Sequence, residues 1–426
     1  MQLILALVIF IITYICLMIF PKLRAYIALC SAALFVILQI LPINKVFFAV
    51  DWNVLLMIGG TMGIVALFIA SKMPALMADL LIKKMPSVNW AIIALALFAG
   101  LISAFVDNVA TVLMVAPVAL DISKKLKISP VKSIIAIAIS SNLQGAATLV
   151  GDTTSIMLAS KTGMNFMDFF VYQNRPGLFF VVQIAAIMST LILVWLFRKD
   201  KQPLTINQST EVNDYVPTIL LLGMIVLLII ASFIPEEYKL SITNGLICVG
   251  LLIVGLIYTL IKTKDFSVLK DTIKEIDFFT LLLLGSLFII IAGISEAGVV
   301  DKIAELIKKA GGGNLFLIYT IIVWASVLVS AFIDNIPYTA TMLPVVAGIA
   351  SMLGVDPTVL YFGLLSGATL GGNLTPIGAS ANITGLGILR KEGYEVKAGQ
   401  FMKISVPFTL AAVITGYVLI WLFWGI

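Results

Sequence analysis

The sequence of 426 residues contains no histidine, and only 12% of its residues are charged. The absence of histidine excludes a histidine metal ligand, a histidine base and a histidine pH switch. Because a soluble globular protein has about 25% charged residues, the charged part of a soluble surface is missing. The chain is also 61% hydrophobic, with a mean hydropathy of +1.14. These values exclude an ordinary cytosolic enzyme, a disordered chain and a nucleic-acid binder, and they predict a surface that mostly faces lipid.

Cysteine is scarce, and a nucleotide-binding loop is missing. The three cysteines lie far apart in apolar runs, form no metal-ligand spacing and predict no disulfide, so we expect buried apolar thiols at Cys16, Cys30 and Cys248. No Gly-rich loop with GK[ST] occurs, so the chain carries no ATPase of its own. The sequence leaves open whether a separate ATPase subunit serves it.

Apolar runs of about 20 residues, the length that crosses a bilayer, recur along the chain. The first run lacks the basic region and the cleavage site of a signal peptide, so we interpret it as a span. Full spans are predicted at 2–20, 25–41, 53–71, 131–161, 176–197, 216–234, 241–261, 277–295, 357–389 and 403–425. Two of these, 131–161 and 357–389, are too long and too rich in Gly, Thr and Asn for plain helices. They are predicted to be helices broken at mid-depth.

Two further apolar stretches, 88–121 and 314–352, are each interrupted by an Asp-Asn pair. Each stretch is long enough for two short helices that enter the membrane and return on the same side. We therefore predict two re-entrant hairpins. The amphipathic segments 73–85 and 299–310 precede the hairpins and are expected to lie along the membrane interface.

An internal repeat links the two hairpins. Ser103–Val118, which reads SAFVDNVATVLMVAPV, matches Ser330–Val345, which reads SAFIDNIPYTATMLPV, at an offset of 227 residues. Val150–Ile156 matches Ile377–Ile383 at the same offset. Asp51-Trp52 and Gly59 match Asp277-Phe278 and Gly285 at an offset of 226. These matches predict that the chain is duplicated.

The duplication predicts the fold class, an all-α polytopic membrane protein built as an inverted repeat. The units are 1–200 and 216–426, each with five full spans and one hairpin, joined by a polar cytoplasmic linker at 201–215. Because five is odd, the second unit enters the membrane upside down, as in many secondary transporters. This topology puts 20 of the 27 Lys and Arg residues on one side, which the positive-inside rule makes cytoplasmic. Both termini are then outside, and the hairpins open from opposite sides.

Polar side chains gather at the hairpin tips and at the helix breaks. An ionisable residue at the centre of a span costs about 2.5–3.5 kcal/mol on insertion scales, so we expect the aspartates to bind a ligand or to face water. Broken helices also expose free N–H groups that attract anions and free carbonyls that coordinate cations. The alternative for Asp107 and Asp334 is helix capping, which is compatible with binding. The clusters are Asp107, Asn108 and Thr111; Asn142, Thr148, Gly151, Asp152, Thr153, Thr154 and Ser155; Asp334, Asn335 and Thr339; and Asn373, Thr375, Gly378, Ser380 and Asn382.

These motifs resemble the ion-transporter superfamily. The resemblance rests on SAFVDN…APV, GAATLVGDTTSIM, SAFIDNIPYTATMLP and LGGNLTPIGASANI, and it is greatest to the branch of arsenical pumps, P proteins, NhaD-type antiporters and citrate-transporter-like permeases. It implies inverted repeats, two hairpins, two discontinuous helices and a homodimer with a scaffold and a moving transport domain. It also implies substrate and ion binding by Asp107, Asn108, Thr111, Thr148, Gly151, Asp152, Asp334, Asn335, Thr339, Asn373, Thr375, Gly378, Ser380 and Asn382; position at depth adds Asn142 and Thr154.

The sequence departs from its relatives at two places. Many members of the branch read Gly-Asp-Pro-Pro-Asn after the first break, whereas this chain reads Gly-Asp-Thr-Thr-Ser from Gly151. Dicarboxylate symporters of the superfamily have Ser-Asn-Thr at both hairpin tips, whereas Asp-Asn pairs stand here, starting at Asp107 and Asp334. The second departure weakens the case for a di- or tricarboxylate.

The charge of the motifs favours coupling to a cation. They contain three aspartates and no Lys, Arg or His, so a bare polyanion would be held only by helix N-termini and amides. Carboxylates and backbone carbonyls suit Na⁺ or H⁺, which we expect at Asp107, Asp152 and Asp334 and at neighbouring carbonyls. No other cofactor is expected.

We therefore predict a secondary transporter of a small anion or weak acid, an arsenite-like oxyacid or a carboxylate, in a bacterial or archaeal plasma membrane. Its expected mechanism is alternating access. A Na⁺/H⁺ antiporter is the first alternative, and an uncoupled channel is the second. An enzyme is not expected, because the three aspartates and the threonines form no recognisable catalytic constellation.

Overall fold

The computed structural model of the chain describes residues 2–200, 202–203 and 210–425, and nearly all of them lie in helices or short connections. This confirms the predicted class, an all-α polytopic membrane protein. Residues 201 and 204–209 of the predicted linker lie outside the described residues.

The first half contains ten helices in the described part of the chain. A two-stranded antiparallel hairpin of β1 (Val171–Tyr172) and β2 (Arg175–Pro176) precedes the last of them. The helices are α1 (Gln2–Ile19), α2 (Arg24–Ile37), α3 (Ile43–Ala49), α4 (Trp52–Ala70), α5 (Met73–Ile82), α6 (Val88–Ser103), α7 (Asn108–Leu126), α8 (Val131–Gly145), α9 (Thr153–Thr162) and α10 (Leu178–Phe197).

The second half repeats this order among its described residues, with a short 3₁₀ turn at Gly372–Leu374 after α18. Its helices are α11 (Val216–Ser232), α12 (Thr243–Thr263), α13 (Phe266–Lys274), α14 (Phe278–Glu296), α15 (Val299–Ala310), α16 (Leu315–Ser330), α17 (Asn335–Leu353), α18 (Thr358–Gly371), α19 (Ser380–Lys391) and α20 (Ala398–Trp424).

The helix ends repeat the sequence offset. Each end of α6 and of α7 recurs 227 residues later, as an end of α16 or of α17. The starts of α8 and α9 recur at the same offset, as the starts of α18 and α19. A four-residue break therefore separates the two helices of each hairpin, at 104–107 and 331–334, and the Asp of each Asp-Asn pair is the last residue of its break. The expected breaks at mid-helix are also present, at 146–152 and 372–379.

The helices pack as two groups. In the first group α2 packs against α14 and α4 against α12, with α1 and α11 alongside; we call α1–α4 and α11–α14 the framework. In the second group α6 packs against α8, α16 against α18 and α10 against α20; we call α6–α10 and α16–α20 the hairpin bundle. Equivalent helices of the two halves make equivalent contacts, so the halves are related within one molecule.

Seven of the described helices are long and apolar enough to cross a membrane: α1, α4, α10, α12, α14, α17 and α20. Large apolar side chains such as Ile4, Ile12 and Ile37 point outward from α1 and α2. Such an apolar exterior fits lipid and not water. The chain is therefore an integral membrane protein, whereas the hairpin topology and the sidedness stay predictions.

Several boundaries differ from the sequence prediction. The stretch 25–41 forms a helix of only 14 residues, because its last residues turn back to contact α2 through backbone hydrogen bonds to Phe35. The short helices α3 and α13 were not predicted, and α20 starts at Ala398, five residues before the predicted span. Cys30 is exposed on the apolar exterior and Cys16 is partly buried, so the prediction of buried thiols is wrong for Cys30 and holds for Cys248.

Candidate functional site

A cavity of about 150 Å³ lies between the hairpin bundle and the framework. Four helices of the hairpin bundle begin at its wall, and each presents its first residues: Asn108 of α7, Thr153 of α9, Asn335 of α17 and Ser380 of α19. The first N–H groups of a helix have no partner within the helix and carry partial positive charge. At α9 and α19 no described side chain caps these groups, so two of the four helix ends present uncapped N–H donors, the kind of group that binds anions.

Asp107 and Asp334 cap the second helix of each hairpin. Asp107 Oδ1 accepts hydrogen bonds from the backbone N–H of Val109 and of Ala110, at 3.0 and 3.1 Å. Asp334 Oδ1 accepts one from the N–H of Ile336 at 3.1 Å. Capping is therefore confirmed. It uses one oxygen of each carboxylate and leaves Oδ2 for other partners.

The second oxygens of these two aspartates have different surroundings. Asp334 Oδ2 accepts hydrogen bonds from Arg24 Nη1 and from Ser380 Oγ, both at 3.1 Å. In the described part of the chain, Asp107 Oδ2 has no hydrogen-bond partner, and Asp107 lines the cavity. Arg24 thus places a guanidinium beside the second hairpin tip, where it is paired with Asp334 and is not among the residues that line the cavity.

Asp152 lies on the cavity wall and joins the two halves. Its Oδ2 accepts hydrogen bonds from Thr154 Oγ1 at 2.9 Å and from Asn335 Nδ2 at 3.3 Å. Thr154 Oγ1 also pairs with Thr369 Oγ1 at 3.1 Å. The broken helix of the first half therefore contacts both the hairpin tip and the broken helix of the second half.

Asn142 connects the other hairpin tip to the same broken helix. Its Oδ1 accepts from Asn108 Nδ2 at 3.0 Å, and its Nδ2 donates to the backbone carbonyl of Thr369 at 2.8 Å and to Asn373 Oδ1 at 3.1 Å. Asn373 Nδ2 donates in turn to the carbonyl of Ile139 at 2.8 Å. All of these side chains are buried, so a fully paired amide network fixes the two breaks relative to each other.

Threonines and glycines hold each break against the neighbouring hairpin turn. Thr148 Oγ1 donates to the carbonyl of Ala104, and Thr375 Oγ1 donates to the equivalent carbonyl of Ala331. A Cβ on Gly151 would lie 2.7 Å from the Ala104 carbonyl oxygen, and a Cβ on Gly378 would lie 2.8 Å from that of Ala331. These four residues shape the backbone at the site.

Three buried polar atoms in the predicted clusters have no hydrogen-bond partner among the described residues: Ser155 Oγ, Thr339 Oγ1 and Asn382 Oδ1. Ser155 and Asn382 are equivalent positions of the repeat. The amide nitrogen of Asn382 is already used by the carbonyls of Gly372 and Thr375, both at 3.1 Å. An unpaired buried oxygen costs free energy, so these oxygens are candidate ligands for a small cation.

No group of three or more His, Cys, Asp and Glu side chains forms a metal site among residues 2–200, 202–203 and 210–425. The three aspartates therefore do not form one compact carboxylate cluster. Any cation held here would need hydroxyl, amide or backbone oxygens in addition to a carboxylate.

The predicted set divides by position. Asp107, Asn108, Asp152, Asn335 and Ser380 line the cavity. Asp334, Asn142 and Thr154 are hydrogen-bonded directly to these residues, and Asn373 is hydrogen-bonded to Asn142. The other members support the backbone or lie unpartnered behind the wall: Thr111, whose hydroxyl donates to the Asp107 carbonyl, Thr148, Gly151, Thr339, Thr375, Gly378 and Asn382.

Sequence reasoning missed four residues at the site. Thr369 had a signal, because it lies 227 residues after Asn142, the repeat offset. Asp277 had been matched to Asp51 but was not assigned to the site; it lines the cavity with Glu275 at the start of α14. Arg24 gave no local signal, because its partner is 310 residues away.

The protein family follows from comparison with known sequences. Residues 14–367 match the profile of the CitMHS family, which is described as citrate transporter. The chain belongs to the CitMHS family. The CitMHS chain is therefore a membrane transporter, and the resemblance to the ion-transporter superfamily is confirmed.

The chain is similar to proteins of bacteria and of animals. An uncharacterized transporter of Mycobacterium tuberculosis (strain CDC 1551 / Oshkosh) is 32% identical over 410 residues, which cover 94% of each chain. The human P protein is 28% identical over 408 residues, covering 77% of this chain and 48% of that protein. The similarity to the mycobacterial transporter spans almost all of the CitMHS chain.

Solved structures of other transporters share the fold of this CitMHS chain. The crystal structure of the YdaH transporter of Alcanivorax borkumensis superposes with a TM-score of 0.61 at 13% identity, covering 95% of this chain and 98% of YdaH. MtrF of Neisseria gonorrhoeae superposes with a TM-score of 0.54 at 17% identity, covering 88% and 81%. At these identities the similarity shows the fold alone.

Proposed function

We propose that the chain is a Na⁺- or H⁺-coupled secondary transporter that moves a small anion or weak acid by alternating access. The observation that carries this proposal is the cavity itself, where four helix N-termini meet and where two of the three deep aspartates, Asp107 and Asp152, form part of the wall. Because helix N-termini attract anions and carboxylates attract cations, one cavity that has both can bind an anion and a cation together.

The charges at the site explain why the two ligands would bind together. The helix N-termini attract an anion, whereas Asp107 and Asp152 repel it as long as they are ionised. A cation or proton bound by these aspartates removes that repulsion. Each ligand therefore raises the affinity for the other, which is the thermodynamic requirement for coupled transport.

Oxygen ligands for a cation are present on both sides of the cavity. Asp107 Oδ2 is unpaired on the first hairpin tip, and Asn382 Oδ1 is unpaired behind the second break, among the described residues. The carbonyls exposed at the breaks add further oxygens of the kind that Na⁺ prefers. We propose these groups as the coupling-ion ligands, together with Asp152.

For the transported solute we propose a carboxylate or an oxyacid. The description of the CitMHS family as citrate transporter supports a carboxylate. Hydrogen-bond donors at four helix N-termini suit any compact oxyanion equally well, which keeps an arsenite-like oxyacid in the proposal.

The proposed architecture is an inverted repeat of units 1–200 and 216–426, with the hairpin bundle moving against the framework. The equal offsets of the helix ends support a structural repeat, and the odd number of predicted spans per unit supports the inversion. The sidedness of the basic residues supports outside termini in a bacterial or archaeal plasma membrane. The homodimer is proposed from the resemblance alone.

Transport by purified protein in proteoliposomes tests this function. We expect uphill accumulation of radiolabelled citrate or arsenite when an inward Na⁺ or proton gradient is imposed, and loss of that accumulation with Asp107→Asn or with Asp334→Asn. Unchanged coupled flux in both variants would refute the assigned role of the hairpin aspartates. The exposed Asp356, which caps α18 outside the site, provides the control Asp356→Asn.

A Na⁺/H⁺ antiporter is the second candidate, and the carboxylates favour it. Four carboxylates line the same cavity, so it offers cations a site of negative charge: Asp107, Asp152, Glu275 and Asp277. Exchange of Na⁺ against protons in vesicles that contain no organic or oxyanion solute would support the antiporter. Flux that no ion gradient drives uphill would instead support an uncoupled channel.

A further inference from the structure

Arg24 forms an ion pair at the second hairpin tip, and among the described residues the first tip has no such pair. Its Nη1 lies 3.1 Å from Asp334 Oδ2, and its Nε donates to the carbonyl of Leu17 at 3.3 Å. The side chains of Arg24 and Asp334 are only 16% and 8% exposed. In seven other ion pairs among the described residues, at least one of the two side chains is about half exposed or more. Shielding from water strengthens the Arg24 pair relative to these surface pairs.

The pair connects the two groups of helices. Arg24 begins α2, which packs against α1 and α14 of the framework, whereas Asp334 caps α17 of the hairpin bundle. Tyr14 of α1 donates to the carbonyl of Pro337 at 2.7 Å, in the first turn of α17. The second hairpin tip is therefore held against α1 and α2, and the Arg24 pair is its charged contact with the framework.

The Arg24 pair also occupies Asp334. One carboxylate oxygen accepts from Ile336 N–H, and the other accepts from Arg24 and Ser380. Asp107, the equivalent residue, keeps one oxygen unpaired among the described residues. A mobile cation can therefore bind at Asp107 without displacing a side chain, whereas at Asp334 it must compete with a guanidinium.

We propose that Arg24 is a positioning residue that acts as a tethered competitor of the coupling cation at Asp334. It neutralises Asp334 while the hairpin tip rests on the framework, and it gives up the carboxylate when a mobile cation replaces it or when the hairpin bundle moves away. This inference rests on the proposed cation-coupled transport. It adds that Arg24 sets the cation concentration at which transport is half-saturated.

Substitution of Arg24 tests the competition directly. Arg24→Gln removes the tethered charge, so the half-saturating concentration of the driving cation, Na⁺ or H⁺, is expected to fall about fivefold or more. Arg24→Lys keeps the charge but loses the planar fork, so a smaller decrease is expected. Uptake of radiolabelled citrate, or of arsenite if citrate is not accumulated, is measured at varied Na⁺ and at varied pH in proteoliposomes.

A matched ion pair provides the control. Lys45 Nζ lies 2.8 Å from Glu296 Oε1, but both side chains belong to the framework and are about half exposed. Lys45→Gln is therefore expected to leave the half-saturating cation concentration unchanged. If Arg24→Gln does not yield folded protein, Arg24→Lys decides the question with its smaller decrease.

Four results would overturn the inference. A reduced maximal rate at an unchanged half-saturating cation concentration would mean that Arg24 is merely structural. A raised KM for the solute with no change in the cation requirement would mean that Arg24 binds the solute directly. If wild-type protein accumulates neither solute under either gradient, the proposed function fails and the inference fails with it; gradient-driven uptake that Arg24→Gln leaves unaltered contradicts the inference alone.

Discussion

The two halves of the chain share a backbone plan but differ in the side chains that face the cavity. Asp107 and Asp334 stand at the same repeat position and cap equivalent helices, yet in the described part of the chain Asp334 is paired with an arginine and Asp107 is not. Asp152 of the first break corresponds to Ala379 of the second. The two halves thus share a similar backbone, but their carboxylates differ. The first half has Asp107 and Asp152, whereas the second half has Asp334, which is paired with Arg24.

The same comparison separates residues that shape the frame from those that differ in chemistry. Thr148 and Thr375 make the same hydrogen bond, and Gly151 and Gly378 approach the same carbonyls in both halves. Residues that are identical in the two halves therefore hold each helix break against its hairpin turn. Positions that differ, such as 152 and 379, are where the halves acquire separate roles in binding.

The largest expected effect comes from removing Asp152, the carboxylate of the first half that has no counterpart in the second half. Because Ala379 provides no second carboxylate at the equivalent position, Asp152→Asn is expected to lower the initial rate of gradient-driven uptake by about 10- to 100-fold, the effect of losing charged hydrogen bonds. The measurement is solute uptake in proteoliposomes, with Asp356→Asn as the control. A rate equal to that of the control would show that Asp152 is not needed for coupling.

A smaller effect is expected where the halves are alike. A Cβ on Gly151 would come within 2.5 Å of the Gly145 carbonyl oxygen, and one on Gly378 within 2.6 Å of that of Gly372. Gly151→Ala and Gly378→Ala are each expected to lower the free energy of unfolding by about 1–3 kcal/mol, because the backbone must move. The midpoint of thermal unfolding of the purified protein in detergent measures this loss.

A control for the glycine pair lies in α19. Gly387 has no atom within 4 Å of the place where a Cβ would be, so Gly387→Ala is expected to be neutral or slightly stabilising, since alanine favours a helix. If Gly151→Ala were as stable as Gly387→Ala, the close approach of the first break to its hairpin turn would be disproved.

The sequence predicts the frame of this protein better than its contacts. Hydropathy and the repeat locate both hairpin breaks within a few residues, because a helix interrupted by Asp-Asn or by several glycines leaves a local signal. The Arg24–Asp334 pair leaves no such signal, because its partners are 310 residues apart and belong to different halves. The length of α2 was also mispredicted, since hydropathy does not show where a turn bends back on its own helix. The start of α20 was predicted five residues too late, at 403 instead of Ala398.

The smallest expected effect concerns Asn142 and Thr369, which are equivalent in the repeat but differ in their number of hydrogen bonds. The side chain of Asn142 makes three, whereas that of Thr369 makes one, to Thr154 at 3.1 Å. Thr369→Val keeps the shape and the backbone carbonyl that Asn142 uses. It is therefore expected to reduce the free energy of unfolding by only about 0.5–1.5 kcal/mol, whereas Asn142→Ala is expected to cost more, because it leaves Asn108 and Asn373 with unpaired buried groups.

Thermal unfolding in detergent measures both variants of this pair. Thr190→Val serves as the control, because the partly buried hydroxyl of Thr190 bonds within its own helix, to the carbonyl of Ala186. If Thr369→Val destabilised the protein as strongly as Asn142→Ala, the two equivalent positions would contribute equally to the network. The inference that Asn142 contributes more to the polar network than Thr369 would then be wrong, even though the repeat and the cavity would stand.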